Sequence, residues 1–386
     1  MAFPVGAGVR LEQLEGEPHA LLARLREQEP VSWVPALDGW LVTRHDLALS
    51  VMRDDETFTV DDPRFSTAQV IGASMLSLDG ARHASHRAPF AATFRPNAVR
   101  DRFAAAVAGE VERLVDALTP AGAAELRRSF AGPLAARVVS RAIGLGESEV
   151  EELLAWYDAI VTGVTTITAG SAAAPNAQEA VMALSDRLEA VIEGGGRSSL
   201  LATVAAGGEL TSAQVVANAA VLLFGGIETT EGMIGNALLA LLEHPETLAS
   251  VRADPEQLDV AIEESLRLEP AAAVVDRYAT AGVPLAGAQV GAGDLVRVSI
   301  TAANRDPAVF SDPDRFDLSR PNTRRHLAFA HGPHVCLGIH LARLETRVAV
   351  ARLLTRFPRL RLDPERRSSV AGLVFRKPPT LYVVWD

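Results

Sequence analysis

The sequence contains one cysteine among 386 residues, so no intramolecular disulfide can hold the fold together. Cys336 lies in the segment 329–338, which holds Gly332 and Gly338 and leads into an apolar-periodic stretch predicted to be a helix. A sulfur at a helix N-terminus is stabilised as thiolate by the helix dipole and by free backbone N–H groups. The loop therefore predicts a ligand for a soft metal, and iron is the leading interpretation.

Other interpretations of Cys336 stay open on the residues alone. A single cysteine often serves as a small buried apolar side chain. Structural zinc requires about four close ligands, and only His331, His334 and His340 lie near Cys336 in sequence. Nucleophilic catalysis by Cys336 would need a base that the fold, and not the local sequence, must supply.

Length and composition favour one compact soluble domain over residues 1–386. Hydrophobic residues make up 48% of the chain, which suffices for a deep core, and no linker or internal repeat interrupts it. The net charge of −11 argues against a nucleic-acid partner. The N-terminal segment lacks both a basic stretch and a long apolar run, so we expect no signal peptide, no membrane anchor and a cytoplasmic location.

Apolar periodicity predicts a mainly α fold with a smaller β-containing lobe. Thr211 and Gln214 form a capping-box pattern, which predicts the start of a long core helix over about 211–243. Its most apolar part carries Asn218 and ends in glycines, as suits a buried helix better than a bilayer span. The same signals predict a hairpin turning at Leu37–Gly39, short strands over 277–300, and helices over 255–268 and 339–357.

Three motifs in order carry a resemblance to a known family. The pattern Phe-x-x-Gly-x-x-x-Cys-x-Gly at 329–338 resembles the haem-ligand loop of the cytochrome P450 family, in which a cysteine thiolate binds the iron. Residues 225–230 resemble the oxygen-activating motif of the family, and Glu264 with Arg267 resembles its Glu-x-x-Arg pair. Further similarities at 79–87, 304–307 and 316–317 extend the match from about residue 15 to the C-terminus.

The resemblance implies haem b with Cys336 as its iron ligand. In the loop, Phe329 would pack beside the thiolate, and Gly332 and Gly338 would allow close approach to a flat macrocycle. The two haem propionates need cationic or hydrogen-bonding partners. The residues that match the family positions for this role are His83, Arg87, Arg277 and His334.

The second motif, residues 225–230, is expected to form the oxygen-activating side of the haem site. Gly225 and Gly226 each cost about 1 kcal/mol relative to alanine inside a helix, and close approach to haem would explain both. By resemblance, Thr229 and Glu228 deliver protons during dioxygen activation, with a local widening of the helix at Thr229. A kinked helix with a surface acid is the alternative.

The remaining motifs predict structure and substrate. Glu264 and Arg267 are expected to form a buried brace for the segment before the ligand loop, a structural role. Positions that match the distal side of the family pocket are largely aliphatic, so the resemblance implies a mostly apolar small-molecule substrate. These positions are 71–76, 222–226, 272–275 and 373–374.

The resemblance implies a soluble bacterial monooxygenase that hydroxylates its substrate, with epoxidation or oxidative coupling as variants, in secondary metabolism. No flavin or nicotinamide fingerprint is present, so electrons from NAD(P)H should arrive through a separate ferredoxin or flavodoxin. Arginines that flank the ligand loop predict a docking patch, or else solvated charges. They are Arg324, Arg325, Arg343 and Arg347.

Three rival functions are also compatible with the sequence. A peroxide-driven peroxygenase would use the same ligand, although the presence of Glu228 and Thr229 favours proton delivery to dioxygen. A non-catalytic haem-binding sensor would need neither the relay nor a redox partner. A haem-free cysteine hydrolase would carry an acyl group on Cys336.

Overall fold

The computed structural model describes residues 3–145, 150–172, 175–194 and 199–385. Within them the α-helices are α1 (Pro4–Ala7), α2 (Leu11–Glu15), α3 (His19–Gln28), α4 (His45–Arg53), α5 (Ser66–Ile71), α6 (Gly80–Ala91), α7 (Pro96–Leu118), α8 (Gly132–Ile143), α9 (Val150–Thr168), α10 (Pro175–Gly194), α11 (Leu200–Gly207), α12 (Ser212–Glu243), α13 (Pro245–Ala253), α14 (Gln257–Leu268), α15 (Ile300–Ala303) and α16 (Ile339–Arg356). The strands are β1 (Val31–Val34), β2 (Gly39–Val42), β3 (Phe58–Thr59), β4 (Ala123–Glu125), β5 (Val274–Ala279), β6 (Val283–Leu285), β7 (Ala288–Val290), β8 (Leu295–Ser299), β9 (Arg361–Leu362) and β10 (Tyr382–Val384).

Internal contacts divide the chain into two compact units. The first comprises Met1–Val60, Gly232–Cys336 and Leu353–Asp386, and the second comprises Asp61–Glu231 and Leu337–Arg352. The prediction of a mainly α fold with a smaller β-containing lobe is confirmed, because helices dominate and the larger sheet lies in the first unit. The single domain over 1–386 stays a prediction.

The first unit contains a five-stranded sheet in the order β1-β2-β8-β5-β3. The predicted hairpin is present: β1 pairs antiparallel with β2, and Asp38 turns the chain with a φ of 46°. Strand β8 lies parallel to β2 and antiparallel to β5. Alternate side chains such as Val42, Val296 and Val298 are fully buried, so this sheet provides the apolar centre of the first unit.

The second unit is helical and packs its apolar residues between helices. Val107 and Val111 on α7, Leu134 on α8 and Leu188 on α10 are all at most 1% exposed. This spacing of three to four residues on α7 matches one helix face. The second unit therefore forms its own core from helix stripes.

The long helix was predicted closely, since the structure has α12 at Ser212–Glu243 and the prediction was 211–243. The capping box also forms: the Thr211 N–H donates to Gln214 Oε1 (2.9 Å) and the Gln214 N–H donates to Thr211 Oγ1 (3.3 Å). Among the described residues α12 is also the one helix that is long and apolar enough to cross a membrane. Of its most apolar window, 61% is buried, which fits a core helix.

Small residues on α12 allow close packing within the first unit. A Cβ added at Gly232 would lie 2.9 Å from Ala271 Cβ and 3.4 Å from Lys377 Cβ. Lys377 is the only lysine in the sequence and is 9% exposed. The tail that contains it thus lies against α12.

Candidate functional site

The ligand loop is a tight turn that leads into α16. Residues Gly332–His334 form one 3₁₀ turn, and the Val335 N–H donates to the Gly332 carbonyl (3.2 Å). The Cys336 N–H donates to the Phe329 carbonyl at 2.9 Å, which closes the loop on itself. Cys336 is half-buried, and α16 begins three residues later. Cys336 thus directly precedes the start of α16 in the chain, as the sequence predicted.

Gly332 is required by the backbone, beyond any contact with a ligand. Its φ is +74°, and an added Cβ would lie 2.3 Å from the Met52 carbonyl oxygen of α4. Any side chain would force the loop and α4 apart. The predicted role of Gly332 as a backbone-permissive residue thus has a structural reason within the first unit.

Polar contacts fix the segment that leads into the ligand loop. The Leu327 N–H donates to Asn304 Oδ1 (2.7 Å), and the Ala330 N–H donates to the Leu327 carbonyl (2.9 Å). The His326 ring lies 3.2 Å from Glu263 Oε2 on α14 and packs near the Phe329 ring. The position of Phe329 is therefore set by groups far away in sequence.

Glu264 and Arg267 form the buried brace that the sequence predicted. Both side chains are fully buried and joined by two bonds of 2.8 Å. Arg267 also donates to the carbonyls of Asn304, Pro313 and Arg315, so its charge ties α14 to the chain before the loop. Burial lowers the pKa of Arg267, and Glu264 opposes that effect.

Two predicted propionate partners lie in the same unit as Cys336. Arg277 is 4% exposed on β5, and its Nη1 donates to the Asp276 carbonyl (2.8 Å). The Asp276 carboxylate binds Arg297 on β8 through two bonds of 2.7 and 2.9 Å. His334 is half-buried at the end of the 3₁₀ turn. Their contact with a propionate stays a prediction.

The other two predicted partners lie on α6 in the second unit, where His83 is buried and Arg87 is half-buried. One turn from His83, His86 forms a buried polar contact that sequence reasoning missed. Its Nδ1 lies 3.1 Å from Asn218 Nδ2, and Asn218 Oδ1 accepts from the Met75 N–H (2.7 Å). Burial lowers the pKa of His86. The only sequence signal for this contact was an asparagine in an apolar helix.

The two glycines of α12 have different surroundings. A Cβ at Gly226 would lie 2.9 Å from Val139 Cγ2 on α8, so helix packing already requires a glycine there. A Cβ at Gly225 would meet nothing within 4 Å. The structure therefore gives Gly226 a packing reason, while Gly225 leaves open space that a flat ligand could use.

Thr229 donates its hydroxyl to the Gly225 carbonyl one turn earlier (2.6 Å). The expected local widening of the helix is not observed, because α12 runs as an α-helix without interruption from Ser212 to Glu243. A bond back to the fourth preceding carbonyl satisfies the hydroxyl without opening the helix. This prediction was wrong in its geometry, while the role of Thr229 itself stays a prediction.

Glu228 is 2% exposed, so the alternative of a surface acid is excluded. Its Oε2 accepts a hydrogen bond from the hydroxyl of Tyr157 on α9. A hydroxyl both donates and accepts hydrogen bonds, so this contact is compatible with the proton role predicted for Glu228. Sequence reasoning missed Tyr157, which lies 71 residues away.

Several residues predicted to face the substrate line a cavity of about 20 Å³ in the first unit. They are Ala273, Val274 and Leu373, and the wall beside them is formed by Leu14, Leu22, Leu37 and Leu41. The polar side holds two buried atoms without a hydrogen bond, Arg297 Nη1 and Thr301 Oγ1. The lining of this cavity is mostly aliphatic, but its volume is that of about one water molecule, so the aliphatic lining of the substrate pocket stays a prediction.

The residues fit a haem better than a bare metal ion. Among the described residues no group of three or more His, Cys, Asp and Glu side chains could hold an ion. A single thiolate suits an iron that brings four porphyrin nitrogens with it. Open space beside the Cβ positions of Gly225 and Gly338 is compatible with a flat macrocycle.

Comparison with known proteins places these features in a family. The family model described as Cytochrome P450 matches residues 195–384. The chain is 36% identical to cytochrome P450 monooxygenase PikC of Streptomyces venezuelae, over 91% of the chain and 86% of that protein. It is 35% identical to nocardicin C N-oxygenase of Nocardia uniformis subsp. tsuyamanensis, over 100% and 98%. The crystal structure of myxobacterial cytochrome P450 CYP267B1 with myristic acid matches with a TM-score of 0.88, 28% identity and full coverage of both chains.

Proposed function

Because the chain belongs to the cytochrome P450 family, we propose that it uses a haem bound through Cys336 to hydroxylate a mostly apolar small molecule. The relatives are monooxygenases, and the enzyme class of this chain is accordingly that of an oxidoreductase. The ligand loop carries the proposal, since it fixes a half-buried Cys336 directly before α16.

When bound, haem b supplies the site at which dioxygen is activated and one oxygen atom is inserted into the substrate. The Cys336 thiolate would hold the iron, and Phe329 would exclude water from the sulfur. Backbone N–H groups at the start of α16 would limit the electron donation of the sulfur. His83, Arg87, Arg277 and His334 would pair with the propionates, and Gly332 and Gly338 would let the loop approach the ring.

The second unit would supply protons. Glu228 is buried and bonded to a hydroxyl, which suits a group that accepts a proton and passes it on. Thr229 follows Glu228 in sequence. Its hydroxyl would receive the proton after its own hydrogen bond to the Gly225 carbonyl has broken. This order of transfer favours dioxygen over peroxide as the oxidant.

The substrate is inferred from the aliphatic lining and from the relatives. Ala273, Val274 and Leu373 match positions of the family's distal pocket and have aliphatic side chains, and a pocket lined in this way would hold an apolar ligand by its shape. One relative is named for nocardicin C, and CYP267B1 was crystallised with myristic acid. These similarities support a role in bacterial secondary metabolism, with epoxidation or oxidative coupling as variants of the same reaction.

A separate ferredoxin or flavodoxin would supply electrons that originate from NAD(P)H. In the first unit, Arg324 and Arg325 are exposed beside the ligand-loop segment; in the second, Arg347 is exposed and Arg343 is half-buried on α16. Guanidinium groups there would attract an acidic partner. We propose a cytoplasmic location, in keeping with a buried α12.

The first experiment replaces the proposed ligand. Cys336→Ala should abolish the absorbance of the thiolate-type carbon monoxide complex of the reduced protein, together with substrate oxidation. Circular dichroism would show whether the helical fold is retained. A variant that keeps the thiolate-type complex would refute the ligand assignment.

The second experiment separates proton delivery from haem binding. Thr229→Ala should keep the thiolate-type complex but lower the product formed per electron, with the missing electrons recovered as peroxide or water. An unchanged product yield counts against the relay. Substrate oxidation by peroxide alone, unaffected by Thr229→Ala, would instead support a peroxygenase.

A further inference from the structure

Two carboxyl groups meet one phenol inside the second unit. Glu228 and Glu231 lie one turn apart on α12 and are 2% and 1% exposed. The hydroxyl of Tyr157 on α9 donates to Glu228 Oε2 and lies 3.4 Å from Glu231 Oε2. One hydroxyl is therefore within reach of both carboxyl groups.

Glu231 connects this group to a less buried cation. Its Oε1 lies 2.8 Å from Arg127 Nε, and the side chain of Arg127 is 19% exposed. Space for the Glu231 carboxylate depends on Gly132, where an added Cβ would lie 3.3 Å from Oε1. The contacts thus run from the buried Glu228 through Tyr157 and Glu231 to a partly exposed arginine.

Other charged groups lie at the exposed end of this path. Arg128 pairs with Asp158, the residue after Tyr157, at 2.9 Å with both side chains 43% exposed. The Glu125 carboxylate accepts from the backbone N–H groups of Arg127 and Arg128. Burial opposes the charge of Arg128, while Asp158, Glu231 and Glu125 favour it and raise its pKa overall. At the inner end of the path, Glu228 accepts a hydrogen bond from the Tyr157 hydroxyl.

We propose that Tyr157 passes protons from Glu231 to Glu228. This inference deepens the proposed function and rests on the proton role assigned there to Glu228. The Tyr157 O–H bond breaks as an O–H bond forms on Glu228 Oε2, and a proton that Glu231 has taken up from water moves to the phenol oxygen. One proton has then moved from Glu231 to Glu228, and the phenol is neutral before and after. Glu231 regains a proton from water at the partly exposed Arg127 end.

Tyr157 acts through Glu228 and is a positioning residue, so the test must distinguish a relay from a contact that merely ties α9 to α12. Tyr157→Phe removes the hydroxyl and keeps the ring. Tyr382→Phe is the matched control, because Tyr382 lies on β10 with the Arg366 guanidinium 4.2 Å above its ring, outside this cluster.

The first readout needs no turnover. Infrared spectra of the haem-loaded resting enzyme are recorded across a pH titration. The carboxylic-acid band that is missing from the spectra of Glu228→Gln is assigned to Glu228. Tyr157→Phe should shift this band, and Tyr382→Phe should leave it in place. A band that does not move in Tyr157→Phe overturns the inference.

The second readout is the product formed per electron, in water and in deuterium oxide. Tyr157→Phe and Glu231→Gln should each lower the yield by a factor on the order of 10 and change the solvent isotope effect. A lowered yield in Glu228→Gln with normal yields in the other two variants overturns the role of Tyr157 and leaves the proposed function intact. A normal yield in Glu228→Gln overturns both. If Tyr157→Phe loses haem, Glu231→Gln decides alone, and a normal yield there overturns the relay.

Discussion

Glu264 in the first unit and Glu228 in the second are both buried carboxylates on helices, and two arginines bind the first while a phenol binds the second. Glu264 accepts from Arg267 and Arg320 side chains, from the Asp317 N–H and from the Thr323 hydroxyl. Glu228 accepts from the Tyr157 hydroxyl. A guanidinium group that binds a carboxylate keeps its protons, whereas a hydroxyl can exchange a proton with it. The comparison separates a brace from a candidate relay.

The largest effect should come from breaking the brace. Arg267→Ala leaves the fully buried Glu264 without its bidentate partner and should lower the free energy of unfolding by about 3–5 kcal/mol. Urea denaturation followed by circular dichroism measures this loss. Arg113→Ala is the control. The Arg113 side chain is 50% exposed and pairs with Glu110 one helical turn earlier, so its loss should lower the free energy of unfolding by only about 0–1 kcal/mol. Equal losses in the two variants would show that Glu264 is not held as a brace.

Glu269 is a second carboxylate of the first unit that is bound by cations, and the pH dependence of stability tests how strongly they hold it. Burial disfavours its charge, but His19 (2.6 Å), Arg305 (2.9 Å) and Arg376 (3.3 Å) outweigh burial and lower its pKa from 4.5 to about 2. A lowered pKa contributes stability that is complete above the unfolded value of 4.5 and is lost as the pH falls towards 2. That contribution amounts to about 3 kcal/mol.

Unfolding in urea at a series of pH values between 6 and 2, for the natural protein and for Glu269→Gln, tests this expectation. The difference in stability between the two proteins should shrink as the medium is acidified through this range. A difference that stays constant with pH would contradict the lowered pKa. Glu246→Gln on α13, an exposed carboxyl, provides the control.

The smallest effect concerns the two glycines of α12 beside the candidate relay. Gly226→Ala should destabilise the protein by about 1–3 kcal/mol, because its Cβ would press on Val139. Gly225→Ala should leave stability equal or raise it by up to about 1 kcal/mol, because nothing lies within 4 Å and alanine favours a helix. Haem content measured in both variants shows whether Gly225 also borders the ligand. If Gly225→Ala proves the more destabilising, the packing account of Gly226 is wrong.

Local signals predicted the parts of the fold that depend on neighbours in sequence. The Thr211 and Gln214 pattern placed the start of α12, and the turn before Gly39 placed the β1–β2 hairpin. Helix α16 was predicted at 339–357 and lies at Ile339–Arg356. Periodicity and capping are short-range properties, so the sequence displays them directly.

Contacts between distant residues left no such signal. Tyr157 and Glu228 are 71 residues apart, and Arg320 reaches Glu264 across 56. The approach of Gly226 to haem stays a prediction, and the packing of its Cβ position against Val139 on another helix left no signal in the sequence. The motif singled out Glu228, but only the packing of α9 on α12 shows that the Tyr157 hydroxyl binds its carboxyl group.

Lys377 carries the only side-chain amine in the sequence, and it is 9% exposed. Every other basic side chain apart from histidine is an arginine. Guanidinium groups keep their charge far into alkaline solution, so surface attraction for an acidic protein should persist at pH values where lysine-rich surfaces lose it. Reagents that modify amines would find little to react with on the intact molecule. Their incorporation at this position would instead report that the C-terminal tail has separated from α12.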